Sequence, residues 1–230
     1  MGLRPDGDAP LPTEASVLSP AAQPQSAPAL WGDLKFLTLS AGMALGLFAQ
    51  IGLIAHLFSL LVPALGPQPA ALAMGLATAS AIAGRTLVGW VMPADADRRV
   101  VACASYAVQI AGSIVFILAA GASAPLLLLG VVLFGAGIGN ATSLPPLIAQ
   151  VEFPKDHVPR VVALTIAVAQ AAYAFAPASF GLIREFAPHS TAASPSAAPG
   201  VFVAAAFAQG LAICALLLGR SRLRTVSKSA

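Results

Sequence analysis

Arg85 carries its charge in a place where charge is costly. It lies in the run ATASAIAGRTLVGWV, with apolar and small residues on both sides. An arginine inside a lipid-spanning segment costs from about 2.5 to over 10 kcal/mol by different estimates, so it requires a partner or a watery cavity. Its guanidinium can hold a carboxylate through two parallel N–H···O bonds and does not lose its proton near neutral pH. The chemistry on offer is therefore a fixed-charge clamp for an organic anion. A second reading has the side chain snorkelling to the nearer interface and pairing with Asp95 or Asp97. From its level in a helix that is a reach of about 12 Å.

Other polar residues stand singly in apolar runs. Gln170 and Tyr173 are three apart, hence on one helix face, with Pro177 one turn further on. They could line a cavity, or they could hydrogen-bond a neighbouring helix. Asn140 follows the GAGIG run and could face a cavity as well. His56 could titrate near neutral pH and serve proton coupling, or make a packing hydrogen bond. Gln50 belongs to the same run, but six residues from His56 is not a shared face. Cys103 and Cys214 both fall inside apolar stretches, which fits small buried residues and neither a disulfide framework nor a metal site. No HExxH, GxSxG, P-loop or GxGxxG pattern occurs, and no intramembrane pair of Asp residues, so an enzyme is not expected and no cofactor is implied.

The elements that must hold these residues follow from composition. Of 230 residues, 58% are hydrophobic and only 9% charged, whereas a soluble domain carries about 25% charged residues. Lipid must be the solvent for much of this chain. Six apolar segments stand out, at about 34–62, 69–92, 100–121, 125–148, 160–183 and 200–218. Each is long enough as a helix to cross a hydrocarbon core of about 30 Å. Uninterrupted apolar runs of this length satisfy their backbone only as helices, so a β-barrel is excluded. The expected fold is all-α, a polytopic membrane protein of six transmembrane helices.

Lys and Arg fix the orientation. With both termini cytoplasmic, Arg4, Lys35, Arg98, Arg99, Lys155, Arg160, Arg220, Arg222, Arg224 and Lys228 lie inside, and Arg184 alone lies outside. The net charge of +3 therefore reads as a topology signal and not as a nucleic-acid footprint. Residues 1–33, rich in Pro, Ala, Ser and Asp, read as a disordered cytoplasmic tail, and they lack the basic and apolar regions of a signal peptide. Residues 34–219 form the membrane domain and 220–230 a basic cytoplasmic tail. The stretch REFAPHSTAASPSAAP is a polar, Pro-broken external loop. Gly42 and Gly46, and likewise Gly135 and Gly139, are spaced for close helix packing.

Three runs, GLFAQIGLIAHLFSLL, GRTLVGWVMPADADRR and LFGAGIGNATSLPPLIAQVEF, resemble the C-terminal half of a major facilitator superfamily transporter, helices seven to twelve. Within it the chain looks most like oxalate/formate-antiporter-like and monocarboxylate-transporter-like members. The resemblance implies a solute carrier working by alternating access, in the inner (plasma) membrane, with a small organic anion as cargo. Arg85 then matches the helix-eight arginine that binds the anion, and Asn140, Gln170 and Tyr173 are further substrate-binding candidates. The oxalate carriers add a lysine in helix eleven; none occurs here, which points to a monocarboxylate or another singly charged solute. Gln109 and Gln209 fall on outer scaffold helices and read as structural.

The family's inner-gate signature is a glycine, three residues, an acid and a basic cluster. Here Gly89 is followed by Pro93 at the acid's place, with Asp95, Asp97, Arg98 and Arg99 after it. The resemblance also implies a missing wall, supplied by a complementary six-helix half or a second copy of the chain. The runner-up expectation is a non-transporting membrane subunit or an inactive fragment.

Overall fold

The computed structural model describes residues 28–93, 95–186 and 198–227, so the tail expected at 1–33 and the external loop lie largely outside the described residues. Among the described residues every regular element is helical. The helices are α1 (Pro28–Trp31), α2 (Leu34–Leu65), α3 (Pro67–Val91), α4 (Arg98–Ala119), α5 (Ala124–Ile138), α6 (Leu144–Glu152), α7 (Val158–Tyr173), α8 (Ala176–Phe186) and α9 (Pro199–Ser227). A short 3-10 turn, Lys155–His157, precedes α7.

Local chemistry sets the boundaries. The Asp33 carboxylate caps α2 by accepting from the Lys35 amide at 2.8 Å. Asp97 caps α4 in the same way, accepting from the Arg99 amide at 3.1 Å. Between α2 and α3 the chain reverses at Gly66, whose φ of +82° suits glycine, and Pro67 starts the next helix where no N–H is needed.

Five stretches are long and apolar enough to cross a bilayer: Leu34–Leu65, Pro67–Val91, Arg98–Ala119, Lys155–Phe186 and Pro199–Arg220. The fourth expected span, 125–148, is not one helix. It divides into the 15 residues of α5 and the 9 residues of α6, joined by turns over 139–143. Pro145 and Pro146 are the cause, since neither has an N–H for the carbonyls of Ala141 and Thr142 and their rings crowd those carbonyls. Pro177 does the same to the Tyr173 carbonyl and separates α7 from α8. The last helix runs on past the expected end of the membrane domain to Ser227.

Two hydrophobic clusters mark the two ends of the bundle. One gathers Leu57, Leu61, Ala73, Phe116, Leu127, Val131, Phe180 and Phe202. The other gathers Phe36, Leu39, Tyr106, Ile148, Phe153, Val161 and Leu216. Helices therefore alternate in direction, and α5 with α6 together run from the first cluster to the second, completing one crossing in two pieces. The start of α2 and the last turns of α9 share an end with Lys35, Arg98, Arg99 and Arg220, while Arg184 lies at the other. That grouping is the one the positive-inside rule assigns to the cytoplasm.

The α2 helix is central, packed by α9, α7, α8 and, more sparingly, α3. The glycine pairs serve close approach. A Cβ on Gly42 would meet Leu216 of α9, and one on Gly46 would strike the Tyr106 ring of α4. A Cβ on Gly135 would sit 2.6 Å from the Ala77 carbonyl oxygen, and one on Gly139 would collide with the Ala81 carbonyl, so α3 and α5 touch backbone to backbone.

Candidate functional site

A cleft of about 330 Å³ opens where α2, α3 and the break in the fourth span meet. Its first wall is Leu47, Gln50, Ile51 and Ile54 of α2, and its second is Thr78, Ala81, Ile82 and Arg85 of α3. Both sets follow the i, i+3, i+4, i+7 repeat of one helix face. Ile138, Gly139, Ala141 and Thr142 form the floor, which is the stretch that Pro145 and Pro146 unwind. The lining is apolar apart from Arg85, Gln50 and the two threonines. Arg85 is exposed into this space, and among the described residues no hydrogen bond or ion pair engages it. Pairing with Asp97 does not occur, because that carboxylate caps α4 and binds the Arg220 guanidinium.

The remaining candidates take different places. Asn140 is buried and lines a small pocket with Met43, Ser105 and Tyr106 that adjoins the cleft through Ala141, though Asn140 itself is not among the cleft-lining residues. Tyr173 packs against a cluster of Met43, Ala44, Leu47, Ala141 and Ala169, which shares Leu47 and Ala141 with the cleft. Gln170 is exposed and is not among the cleft-lining residues. His56 donates from Nε2 to the Pro177 carbonyl at 3.0 Å, a bond that ties α2 to the start of α8. Gln109 and Gln209 are fully buried and bonded to each other across α4 and α9, with Nε2 of Gln209 donating to Oε1 of Gln109 at 3.0 Å.

At the basic end a second constellation forms. Arg99 is 1% exposed, and all five of its N–H donors are used. Nε and Nη2 bind the two Glu152 oxygens at 2.6 and 2.7 Å, a bidentate pair. Nη1 donates to Thr38 Oγ1 and the Leu216 carbonyl, each at 3.1 Å, and Nη2 donates to the Lys35 carbonyl at 3.0 Å. One guanidinium thus joins α4 to α2, α6 and α9. Gly219 leaves room for it, since a Cβ there would overlap both Arg99 Nη1 and Thr38 Oγ1.

The neighbouring residues of the expected gate are simpler. Arg98 donates from Nη1 to the Leu147 carbonyl at 3.0 Å. Asp95 lines a cavity of about 250 Å³ with Lys35, Asp97 and Glu152. A Cβ on Gly89 would meet nothing within 4 Å.

Sequence reasoning placed Arg99 in the gate but passed over its partner Glu152, the Thr38 hydroxyl and Gly219. One signal was present. Glu152 is the acid that ends the fourth apolar segment on the side where Arg98 and Arg99 begin the third. Among the described residues no group of His, Cys, Asp and Glu could hold a metal ion.

No curated protein matches the chain. The family described as Major Facilitator Superfamily matches residues 3–177, a stretch that takes in the cleft, Arg99 and Glu152. With well over half of the sequence matched, and with apolar helices of membrane-crossing length in an all-helical bundle, the chain belongs to the Major Facilitator Superfamily, a family of membrane transporters.

Proposed function

We propose that the protein carries a small organic anion, a monocarboxylate, across the inner membrane by alternating access, and that Arg85 holds the carboxylate. What supports this reading is an intramembrane guanidinium that faces an apolar cleft with no protein partner among the described residues. In lipid such a charge is stable only if water or an anion answers it. Arg85 is the one cation among the residues lining the cleft, which matches a singly charged solute. Tyr173 of α7 packs against the cluster that shares Leu47 and Ala141 with the cleft, and Gln170 stands exposed on the same helix. On this reading a complementary six-helix half, or a second copy of the chain, closes the open side, and the Arg99–Glu152 end acts as the inner gate.

The test is anion uptake at matched membrane expression, by the protein together with the half that completes it. Arg85→Lys keeps the charge but loses the planar two-donor fork, so apparent affinity falls by about tenfold or more. Arg85→Ala weakens it further. Uptake of Arg85→Lys at the parent level ends the clamp reading and leaves Arg85 as a structural charge.

A further inference from the structure

Gln50 stands in the cleft wall with a polar group that the protein buries and leaves unanswered. Its side chain is 1% exposed, and its Nε2 has no hydrogen-bond partner. A buried amide donor without an acceptor costs about 1–3 kcal/mol, a cost usually met by a partner. The other residues that line this cleft carry no such deficit. The terminal torsion of a glutamine is soft, so a small turn presents the amide nitrogen to the cleft.

Register places Gln50 beside Arg85. The α2–α3 pair folds back at Gly66, and the two helices then present matching faces. Gln50 and Ile82 are each sixteen residues from Gly66, and Leu47 and Arg85 are each nineteen. Gln50 therefore sits about one helical turn, roughly 5 Å, from the level of Arg85. An anion held by the Arg85 fork keeps a free lone pair on each carboxylate oxygen, but the Gln50 donor stands about a turn away from that level. The acceptor best placed for it is another oxygen of the same solute, displaced from the carboxyl group by two or three carbon atoms. The rest of the wall, Leu47, Ile51, Ile54 and Ile82, suits the hydrocarbon between them.

We propose that Gln50 is a second solute-binding residue, and that the cleft accordingly takes small monocarboxylates bearing a neutral carbonyl acceptor a few atoms from the carboxylate. The inference rests on the carboxylate-clamp reading of Arg85.

The test uses the chain purified in lipid nanodiscs together with the half that completes it, a second copy included, and two probes of equal length, pentanoate and 4-oxopentanoate, titrated by calorimetry. The parent binds the oxo acid about tenfold more tightly, the worth of one good hydrogen bond made by an otherwise unpaired donor. In Gln50→Met, and in Gln50→Leu as a second variant, that ratio falls to about one through loss of oxo-acid affinity alone. The empty variants melt no lower than the parent, because the group removed was unsatisfied.

A parent that does not distinguish the probes overturns the inference, as does a ratio that survives in both variants. It is also overturned if both empty variants are destabilised, which would make Gln50 a packing residue. Arg85→Lys separates this from the reading beneath it. Weakening of both probes with the ratio preserved supports clamp and inference together. Unchanged binding of both probes removes the clamp. Binding of neither probe by the parent overturns both.

Discussion

Replacing Glu152 with Gln removes a counter-charge from a guanidinium that pairs with no other carboxylate among the described residues. Arg99 is 1% exposed and the Glu152 side chain 7%, so solvent screens the pair only weakly. In Glu152→Gln one carboxylate oxygen becomes an amide that points donors at the Arg99 N–H groups, and the bidentate pair is lost. Breaking a buried ion pair on one side costs about 3–5 kcal/mol. For a chain of this size that corresponds to a drop in melting temperature of roughly 6–20 °C. Removing both partners, as in Arg99→Leu with Glu152→Leu, should cost clearly less than the single change. The Lys35 and Leu216 carbonyls keep their helical N–H partners, and the Thr38 hydroxyl still donates to the Leu34 carbonyl at 2.7 Å. The assay is thermal unfolding of the detergent-solubilised protein, followed by scanning fluorimetry for Glu152→Gln and for the four proteins of the Arg99→Leu, Glu152→Leu double-mutant cycle. A Glu152→Gln protein that melts within about 2 °C of the parent, or a double variant less stable than either single one, refutes this account of the basic end.

Three further outcomes are expected. Gly139→Ala drives a Cβ into the Ala81 carbonyl and should lower the melting temperature by several degrees, while Gly89→Ala, whose Cβ meets nothing, should not; equal effects would contradict the backbone contact between α3 and α5. Gly219→Ala should destabilise by about 1–3 kcal/mol through displacement of Arg99 and Thr38, and Arg99→Ala in the same chain should reduce that penalty, leaving the Thr38 share. In a cysteine-free background, a membrane-impermeant thiol reagent added outside the cell should label a cysteine placed within residues 190–196 and spare Ala96→Cys; the reverse pattern would invert the topology.

The apolar helices could be read from the sequence because lipid imposes a one-dimensional rule. Each crossing needs a run of apolar residues, and charges gather on one side. The same reading missed the break at 139–143, since apolarity continues through it and only Pro145 and Pro146 betray it. Arg85 was legible because a charge amid lipid is anomalous wherever its helix packs. Asn140 was placed by depth alone, and depth does not specify azimuth; its buried position beside Tyr106 depends on how α5 rotates against α4. The burial of Arg99 was not legible either. Its neighbour Arg98 is chemically identical, and only the packing of α2, α6 and α9 makes one of them a hub. Gln50 drew notice only for sharing no face with His56, since an amide left without a partner is a property of packing and not of sequence.

The backbone contact between α3 and α5 has a mechanical consequence. Where two helices are separated by flexible side chains, each can slide by a fraction of an ångström while rotamers absorb the difference. Here the Ala81 carbonyl leans on Gly139, the Gly84 backbone lies against the Ala136 carbonyl, and a Cβ on Gly139 would lie 3.0 Å from that of Arg85. No soft layer separates them. The root of the arginine and the unwound floor of the cleft therefore travel as one stiff body, while the sparsely packed seam between α2 and α3 is the compliant joint. When the wall rocks, the cleft should widen along that seam, and Arg85 should keep its distance to the floor while changing its distance to Gln50.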